Sequence, residues 1–254
     1  APMNELWQSL LARYSDFTLF TIAPTVLVNL VYVIGSLVCL SFDHIPQLRK
    51  YKIQPGRYTP AQKMWACARH LVLIKLLIEI PLTLSSYPLL RAVGVSSALP
   101  LPGASKIALQ IILFFFIEDA WHYFAHRLLH VRWFYKKIHY LHHTYSTPFG
   151  MQANYAHPGE TLWLGFGTIL PILLFGPHLL TMWLWIMIRQ VQAISVHTGY
   201  DFPFSLRRWV PLVGGTAFHD RHHTKYNYNF APLFTHLDWL LGTAWRPEND
   251  PRGR

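Results

Sequence analysis

The histidines of this chain form three short, regularly spaced groups, and their spacing constrains the fold more than any other feature. The first group is His122-x3-His126, and two copies of H-x2-H-H follow, His139-x2-His142-His143 and His219-x2-His222-His223. Residues three and four positions apart on a helix share a face. Each group therefore presents its imidazoles in one direction, and we expect the three groups to converge on a metal site.

The number of histidines indicates how many metal ions such a site holds. A lone pair of histidines four positions apart is more often structural than a metal site, but eight histidines in three groups argue against that interpretation. A catalytic zinc ion takes about three protein ligands, so eight imidazoles favour two metal ions. Imidazole suits zinc, copper, iron and nickel. The ligands alone leave the identity of the metal open.

The composition is typical of a membrane protein, with 52% hydrophobic and 13% charged residues. Its two cysteines exclude a disulfide framework. The segment 17–40 reaches about 36 Å as a helix, which is long enough to span a bilayer. We predict an all-α, polytopic membrane helix bundle that forms a single domain over residues 1–254, with spans at about 17–40, 70–88 and 106–121 and a helical hairpin at 161–188.

The hairpin is predicted from the position of the third histidine group. One straight helix over 161–188 would put His219 on the opposite side of the membrane from His122. Gly176 and Pro177 interrupt this segment, and proline disfavours a continuous helix. A break there gives arms of about 15 and 11 residues, roughly 22 and 17 Å long. Such a hairpin would dip into the membrane and return, which keeps all three groups on one side.

The distribution of charge predicts which side that is. The chain carries a net charge of +10, and no acidic residue lies between Asp119 and Glu160, where four basic residues stand among the histidines: Arg127, Arg132, Lys136 and Lys137. Basic residues concentrate on the cytoplasmic side of membrane proteins, so we expect a cytosol-facing site. The long apolar segments argue against nucleic acid as a partner. No basic segment followed by a cleavage site begins the sequence, so no removable signal peptide is expected.

A carboxylate lies beside the first histidine group. Glu118, His122, His126 and His130 are spaced by four and form one stripe of a helix. A carboxylate beside a ligating histidine commonly accepts the second N–H of the ring and fixes its tautomer. We predict this catalytic role for Glu118, with a purely structural acid as the alternative.

His197 and Asp201 form a further candidate pair between the groups. By spacing alone His197 is a lone residue, but its position between two groups favours it as a ninth metal ligand. Asp201 is a candidate catalytic oxygen ligand only if the helix that carries His197 continues through Gly199. Its role therefore depends on the local backbone.

With these residues the chain resembles the membrane fatty-acid-hydroxylase/sterol-desaturase superfamily, which is defined by H-x3-H, H-x2-H-H and a final H-x2-H-H. Three segments are most similar to the sterol C4-methyl oxidases: IEDAWHYFAHRLLH, PFGMQANYAHPGETL and VHTGYDFP. Two others, NFAPLFTHLDWLLGT and LRKYKI, are closer to cholesterol 25-hydroxylases. The resemblance extends from about Arg49 to Trp245, and it leaves a sterol side-chain hydroxylase as the alternative function.

The resemblance implies a non-haem centre of two iron ions that uses O2, with electrons from NAD(P)H through cytochrome b5 and its reductase. The C4-methyl oxidases convert a methyl group of a 4-methylsterol into alcohol, aldehyde and carboxylate, and a separate dehydrogenase then removes the carboxylate. The sterol C4-decarboxylase complex is therefore a candidate partner besides the sterol and membrane lipid. The resemblance also implies a multi-pass protein of the endoplasmic reticulum membrane, with its active site facing the cytosol.

The metal ligands of the family correspond to nine histidines of this chain. His157 matches a recurring family position that we expect to lie outside the ligand set or to be structural. The implied ligands are His122, His126, His139, His142, His143, His197, His219, His222 and His223.

Two other classes of protein share parts of this pattern. A zinc-dependent membrane hydrolase would suit H-x3-H, but H-E-x-x-H is absent because Tyr123 follows His122. A non-catalytic metal transporter would hold its ligands near the middle of the membrane. In this sequence the histidines lie at the basic boundary of the apolar segments, which favours an enzyme.

Overall fold

The computed structural model describes residues 2–246, and this part of the chain is helical, with isolated bridges in place of strands. The predicted all-α class is confirmed. The predicted domain, 1–254, also includes residues 1 and 247–254, which lie outside the described residues. The α-helices between residues 2 and 246 are α1 Pro2–Arg13, α2 Ala23–Phe42, α3 Ala61–Ile74, α4 Ile80–Ser85, α5 Tyr87–Ala92, α6 Ala104–Leu129, α7 Arg132–Lys137, α8 Pro158–Phe175, α9 Leu179–Val196, α10 Gly215–Lys225 and α11 His236–Leu240.

Shorter helical segments complete the fold. The 3-10 helices are Pro46–Tyr51, His139–Thr144, Gly150–Asn154 and Leu206–Arg208, and π-helical turns lie at Thr18–Ile22 and Lys75–Glu79. The second H-x2-H-H group thus lies within α10, whereas the first lies in a 3-10 helix. A 3-10 helix has three residues per turn, so side chains three positions apart, such as His139 and His142, point in the same direction.

Four helices in the described part are long and apolar enough to cross a membrane: Thr18–Phe42, α6, α8 and α9. The segment predicted as a second span, 70–88, is also helical, but its helix is shared among α3, a π-turn, α4 and α5. This segment is not one of the four candidate membrane spans. The third predicted span, 106–121, is part of the longer α6, because helical hydrogen bonding continues through the histidine stripe to Leu129.

Helices α8 and α9 form the hairpin, and their turn lies at Gly176. This residue has a φ of +46°, and a Cβ there would lie 2.2 Å from the Val93 carbonyl oxygen, so the turn requires glycine. Each arm has 18 residues, against the predicted lengths of about 15 and 11. Helix α9 continues past the predicted end because Arg189 and Gln192 are paired inside the bundle.

Packing of the long helices brings the histidine segments to one end of the bundle. Helix α6 packs mainly against α8, and α2 packs mainly against α9. Close approach of α6 and α8 depends on Gly167, where a Cβ would lie 2.6 Å from Cδ1 of Trp121. The hairpin turn contacts α1 and the loop before α6, since the ring of Trp7 lies 5.3 Å from that of His178 and its Nε1 donates a hydrogen bond to the Ser97 carbonyl oxygen. This contact defines the end opposite the histidines.

Candidate metal centre

Nine histidines form two groups of converging ring nitrogens. Within each group, one nitrogen of every residue lies within 4.8 Å of the others. The first cluster is His126, His130, His139, His143 and His222, and the second cluster is His142, His197, His219 and His223. All are buried except His130, which is half-buried. Helix α6, the 3-10 helix His139–Thr144, the end of α9 and α10 supply these side chains.

The Nε2 atoms make the closest contacts in the first cluster. Nε2 of His139 lies 3.0 Å from that of His126 and 3.1 Å from that of His143. The Nε2 atoms of His143 and His222 are also 3.1 Å apart. Nε2 of His130 is buried without a hydrogen-bond partner among the described residues. The first cluster is therefore lined by Nε2 atoms that face one another.

The second cluster repeats this arrangement. Nε2 of His197 lies 2.9 Å from that of His219 and 3.4 Å from that of His142. The Nε2 atoms of His219 and His223 are 3.2 Å apart. His142 belongs to this cluster, whereas His139 and His143 belong to the first, so one short segment contributes to both clusters.

Backbone carbonyls fix the tautomer of four of these rings. The Nδ1 atoms of His126, His142, His197 and His222 lie between 2.7 and 3.0 Å from a carbonyl oxygen. A carbonyl oxygen only accepts hydrogen bonds, so each Nδ1 carries the proton. The corresponding Nε2 of the neutral ring then has a free lone pair. The four acceptors are the carbonyls of Phe230, Tyr155, Ala193 and Tyr228.

This arrangement fits a metal ion in each cluster. Lone pairs held 2.9–3.4 Å apart with no proton between them repel one another unless a cation lies among them. With a metal–imidazole bond of about 2.1 Å, neighbouring nitrogens are about 3.0 Å apart in an octahedral site and about 3.4 Å apart in a tetrahedral one. The observed distances lie in this range. All-imidazole donors suit iron, copper, zinc and nickel.

The electrostatics of the clusters also favour metal binding. Burial lowers the pKa of His142 to about 4 and that of His197 to about 3. Burial, together with neighbouring imidazoles, holds the pKa of His139 and His222 well below the usual range. These rings are neutral at physiological pH, and neutral imidazole is the form that binds a metal.

Glu160 is a functional candidate that the sequence did not reveal. Its Oε1 lies 2.8 Å from Nδ1 of His139, and both side chains are buried. It belongs to the first turn of α8, which His157 caps by accepting a hydrogen bond from the Gly159 amide. His157 thus lies outside both clusters. The signal available in the sequence was that Glu160 is the first acid after Asp119.

Two further acids, Asp119 and Asp238, support the clusters through hydrogen bonds from backbone amides. Asp238 accepts hydrogen bonds from the amides of Phe230 and Ala231, and Asp119 accepts them from those of Leu233 and Phe234. The carbonyl of Phe230 in turn accepts a hydrogen bond from Nδ1 of His126. These acids therefore fix the loop that orients a histidine of the first cluster.

Glu118 and His122 lie together just outside the two clusters. Nδ1 of His122 is 3.3 Å from Oε1 of Glu118, and the same oxygen accepts a 2.7 Å hydrogen bond from Nη2 of Arg189. The rings of His122 and His126 are 5.5 Å apart. The structure thus pairs Glu118 with the predicted histidine, although His122 belongs to neither cluster. Metal ligation by His122 stays a prediction.

Asp201 does not lie in either cluster. Helix α9 ends at Val196, and Gly199 has a φ of +73°. The helix therefore does not continue to Asp201, and the condition for an oxygen ligand is not met. The carboxylate pairs instead with Arg207 and Arg208. This places Asp201 in a loop contact outside the two clusters, and its candidate catalytic role stays a prediction.

Comparisons with known proteins agree with these clusters. The family model "Fatty acid hydroxylase" matches residues 111–243, which include every histidine of both clusters. Methylsterol monooxygenase 2-2 of Arabidopsis thaliana is 43% identical over 93% of this chain and 90% of the relative. Methylsterol monooxygenase erg25A of Aspergillus fumigatus is 42% identical over 87% of this chain and 75% of the relative.

Relatives with a different name are nearly as similar. Very-long-chain aldehyde decarbonylase GL1-11 of Oryza sativa subsp. japonica is 40% identical over 96% of this chain and 92% of the relative. No solved structure matches the chain. The family and the histidine clusters together indicate the use of iron and O2. On the family match and the relatives that cover most of its length, this chain belongs to the fatty acid hydroxylase family and is an oxidoreductase.

Proposed function

We propose that this protein is a methylsterol monooxygenase that oxidises the C4 methyl group of a 4-methylsterol with O2. The observation that carries the proposal is the pair of buried clusters, of five and four histidines, whose Nε2 lone pairs converge. Two clusters suit two iron ions. The methylsterol monooxygenases among its relatives support the choice of substrate, because they are 39–43% identical to the chain.

The depth of the clusters supports oxidation at C4. His126 lies in the last turn of α6, and His197 follows the end of α9, so both clusters lie at the ends of candidate spans. A sterol keeps its C3 hydroxyl at the polar surface of the bilayer, because burial of an unpaired hydroxyl is unfavourable. C4 is the neighbouring carbon. The end of the sterol side chain lies near the middle of the bilayer, away from such a site.

The chain's own residues orient the ligands and exclude water. Backbone carbonyls accept hydrogen bonds from Nδ1 of four rings, which leaves their Nε2 atoms free to bind a metal. Glu160 lies beside Nδ1 of His139. The buried Glu118–Arg189 pair keeps a carboxylate beside His122. The apolar wall of the bundle limits access of water. Bound iron would supply the activation of O2 and the one-electron chemistry that attack on an unactivated methyl group requires.

The stoichiometry of the overall reaction determines how much O2 and how many electrons and protons must reach the metal site. Conversion of the methyl group to an alcohol consumes one O2, two electrons and two protons, and it releases one water. Oxidation of the alcohol to the aldehyde and then to the carboxylate repeats this demand at each step. We propose cytochrome b5 and its reductase as the source of electrons from NAD(P)H, and the sterol C4-decarboxylase complex as the consumer of the acid. The proposed location is the endoplasmic reticulum membrane, with the clusters facing the cytosol.

The test is the sterol profile of cells that lack their own C4-methyl oxidase. We expect expression of this chain to remove 4,4-dimethylsterols, measured by mass spectrometry, and His142→Ala to abolish the effect. His44→Ala is the matched control, because His44 is exposed and outside both clusters. Persistence of 4,4-dimethylsterols with a side-chain-hydroxylated product would support the 25-hydroxylase alternative. Persistence with no new sterol would contradict a sterol substrate.

Aldehyde decarbonylation is a second candidate function, favoured by the names of the rice relatives. The same histidine clusters would serve it, so the site alone does not separate the two functions. The discriminating measurement is the wax and aldehyde profile of the same cells supplied with very-long-chain aldehydes. Formation of alkanes one carbon shorter, with unchanged sterols, would favour the decarbonylase.

A further inference from the structure

A basic cleft lies against the outer side of α10. It has a volume of about 940 Å³, and its lining includes Arg57, Arg221 and Lys225 as the basic residues and Asp220 as the acidic residue. Asp220 accepts hydrogen bonds at 3.0 and 3.2 Å from Gln54, which ties the loop after the Pro46–Tyr51 helix to α10. Since Asp220 is buried while Arg57 and Arg221 are exposed, the accessible charge of the cleft is positive.

Only one helix separates this cleft from both clusters. The outer face of α10 contributes Ala217, Arg221 and Thr224 to the cleft, whereas its inner face contributes His219 and His223 to the second cluster and His222 to the first. An α-helix with its side chains is about 10 Å thick. A molecule seated in the cleft would therefore lie about one helix diameter from each metal site.

The proposed reaction requires a carrier protein that binds near the metal sites and delivers electrons. Each oxidation step takes two electrons from outside the sterol and O2, and the described residues include no pair of cysteines that forms a disulfide. A one-electron protein carrier must dock twice for each step. Complementary charge accelerates the encounter of two proteins and sets their orientation, so a basic docking surface selects an acidic carrier.

Helix α7 carries the other strongly basic surface at this end, but it suits a different contact. Its exposed Arg132, Lys136 and Lys137 stand next to Trp133, whose side chain is 62% exposed, and to the exposed Val131. Exposed tryptophan beside basic residues is typical of the membrane–water interface. Among the residues that the structure describes, the cleft has no exposed aromatic side chain in its lining, and it is concave. The cleft is therefore a better docking site for a soluble protein than α7.

We propose that the cleft formed by Arg57, Arg221 and the outer face of α10 is the docking site for an acidic one-electron carrier protein that reduces both metal sites through α10. The proposal rests on the proposed function. Arg221 stacks over the ring of Trp245 at 4.0 Å, which holds its guanidinium in place for a carboxylate of the partner. The carrier gives up one electron at each visit and leaves oxidised.

The test is binding of the soluble domain of cytochrome b5, an acidic haem protein, to the iron-loaded full chain in nanodiscs of neutral phosphatidylcholine. We expect Arg57→Glu with Arg221→Glu to weaken the affinity about tenfold or more at low salt, with a smaller difference at high salt. The matched control, Arg132→Glu with Lys136→Glu, makes the same change of charge on α7 and should bind like the parent chain. Arg57→Gln, at an exposed loop residue, gives a milder variant if the double variant does not fold.

Three results would overturn the proposal. Equal affinity of the cleft variant and the parent would show that the carrier docks elsewhere. Equal weakening by the α7 control would show that only overall charge matters. If anionic lipid added to the nanodisc prevents binding of the carrier to the parent chain, the cleft takes lipid headgroups instead.

A separate measurement distinguishes failure of this inference from failure of the proposed function. Anaerobic reduction by dithionite, followed by addition of O2, allows one turnover without any carrier. Sterol product in this experiment, from both the parent chain and the cleft variant, would keep the proposed function and leave docking to the binding data. Absence of product from the metal-loaded parent chain would contradict the proposed function itself.

Discussion

The orientation of single imidazoles depends on partners that the histidine spacing does not reveal. Nδ1 of His139 lies beside Glu160, whereas four other rings use backbone carbonyls. Both side chains are buried, and a carboxyl group beside Nδ1 favours the ring orientation that leaves Nε2 free to bind a metal. His139 is therefore the ring of the first cluster whose orientation we expect to depend on Glu160.

Replacement of that acid tests its role. We expect Glu160→Gln to lower metal affinity or activity by about 10- to 100-fold, which is the usual effect of removing a partner of a ligand. The loss should fall on the first cluster, to which His139 belongs. Metal content by mass spectrometry and the rate of sterol oxidation measure it.

Glu79→Gln is the matched control, since Glu79 lies outside both clusters, pairs with Lys75 and is only partly buried. This variant should retain the metal and the activity of the parent chain. Equal metal content in both variants would contradict the role of Glu160.

Helical spacing predicted most of the cluster residues, but it did not predict which turn of each helix lies beside the clusters. Eight of the nine predicted ligands lie in the two clusters, and His130 joins them in place of His122. Spacing by four fixes the direction of a side chain around the helix, so all four residues of the Glu118 stripe face inward. It does not determine which turn of α6 lies level with α10. Glu160 was missed because its contact depends on where α8 begins.

At the scale of elements, small residues determine how closely the long helices pack. A Cβ at Gly167 would lie 2.6 Å from Cδ1 of Trp121, while one at Gly165 would meet nothing within 4 Å. Both glycines lie in α8. We expect Gly167→Ala to destabilise the chain by about 1–3 kcal/mol through overpacking, measured by thermal unfolding in detergent.

Gly165→Ala provides the comparison for that variant. Alanine has a higher helix propensity than glycine by about 1 kcal/mol, so this variant should be neutral or more stable. Equal destabilisation by the two substitutions would contradict close packing of α6 on α8 at Gly167.

The hairpin illustrates which parts of an element can be read from a sequence. The break at Gly176 and Pro177 was predicted, because glycine and proline interrupt helices for local reasons. The length of α9 was not predicted, because Arg189, Gln190 and Gln192 mark the end of the apolar segment. Their partners, which include Glu118 and Asn154, come from distant parts of the chain. Tertiary pairing of these polar groups lets the helix continue.

At the scale of the whole molecule, the arrangement of the four candidate spans places the clusters and the hairpin turn at opposite ends. We expect the cluster end to face the cytosol, because basic residues concentrate there. An N-glycosylation acceptor site introduced into the loop 98–103 should be glycosylated in microsomes, and one introduced into 55–60 should not. The shift in mobility after glycosidase treatment measures this, and the reverse pattern would contradict the proposed orientation.

The number of metal ions per chain tests the central claim most directly. We expect iron-loaded protein, purified in detergent, to contain about two iron ions per chain by elemental mass spectrometry, since each cluster has at least three imidazole ligands. His219→Ala and His222→Ala should each lower the content towards one, because these residues belong to different clusters. A folded parent chain that holds one ion or none under these conditions would contradict the account of two metal sites.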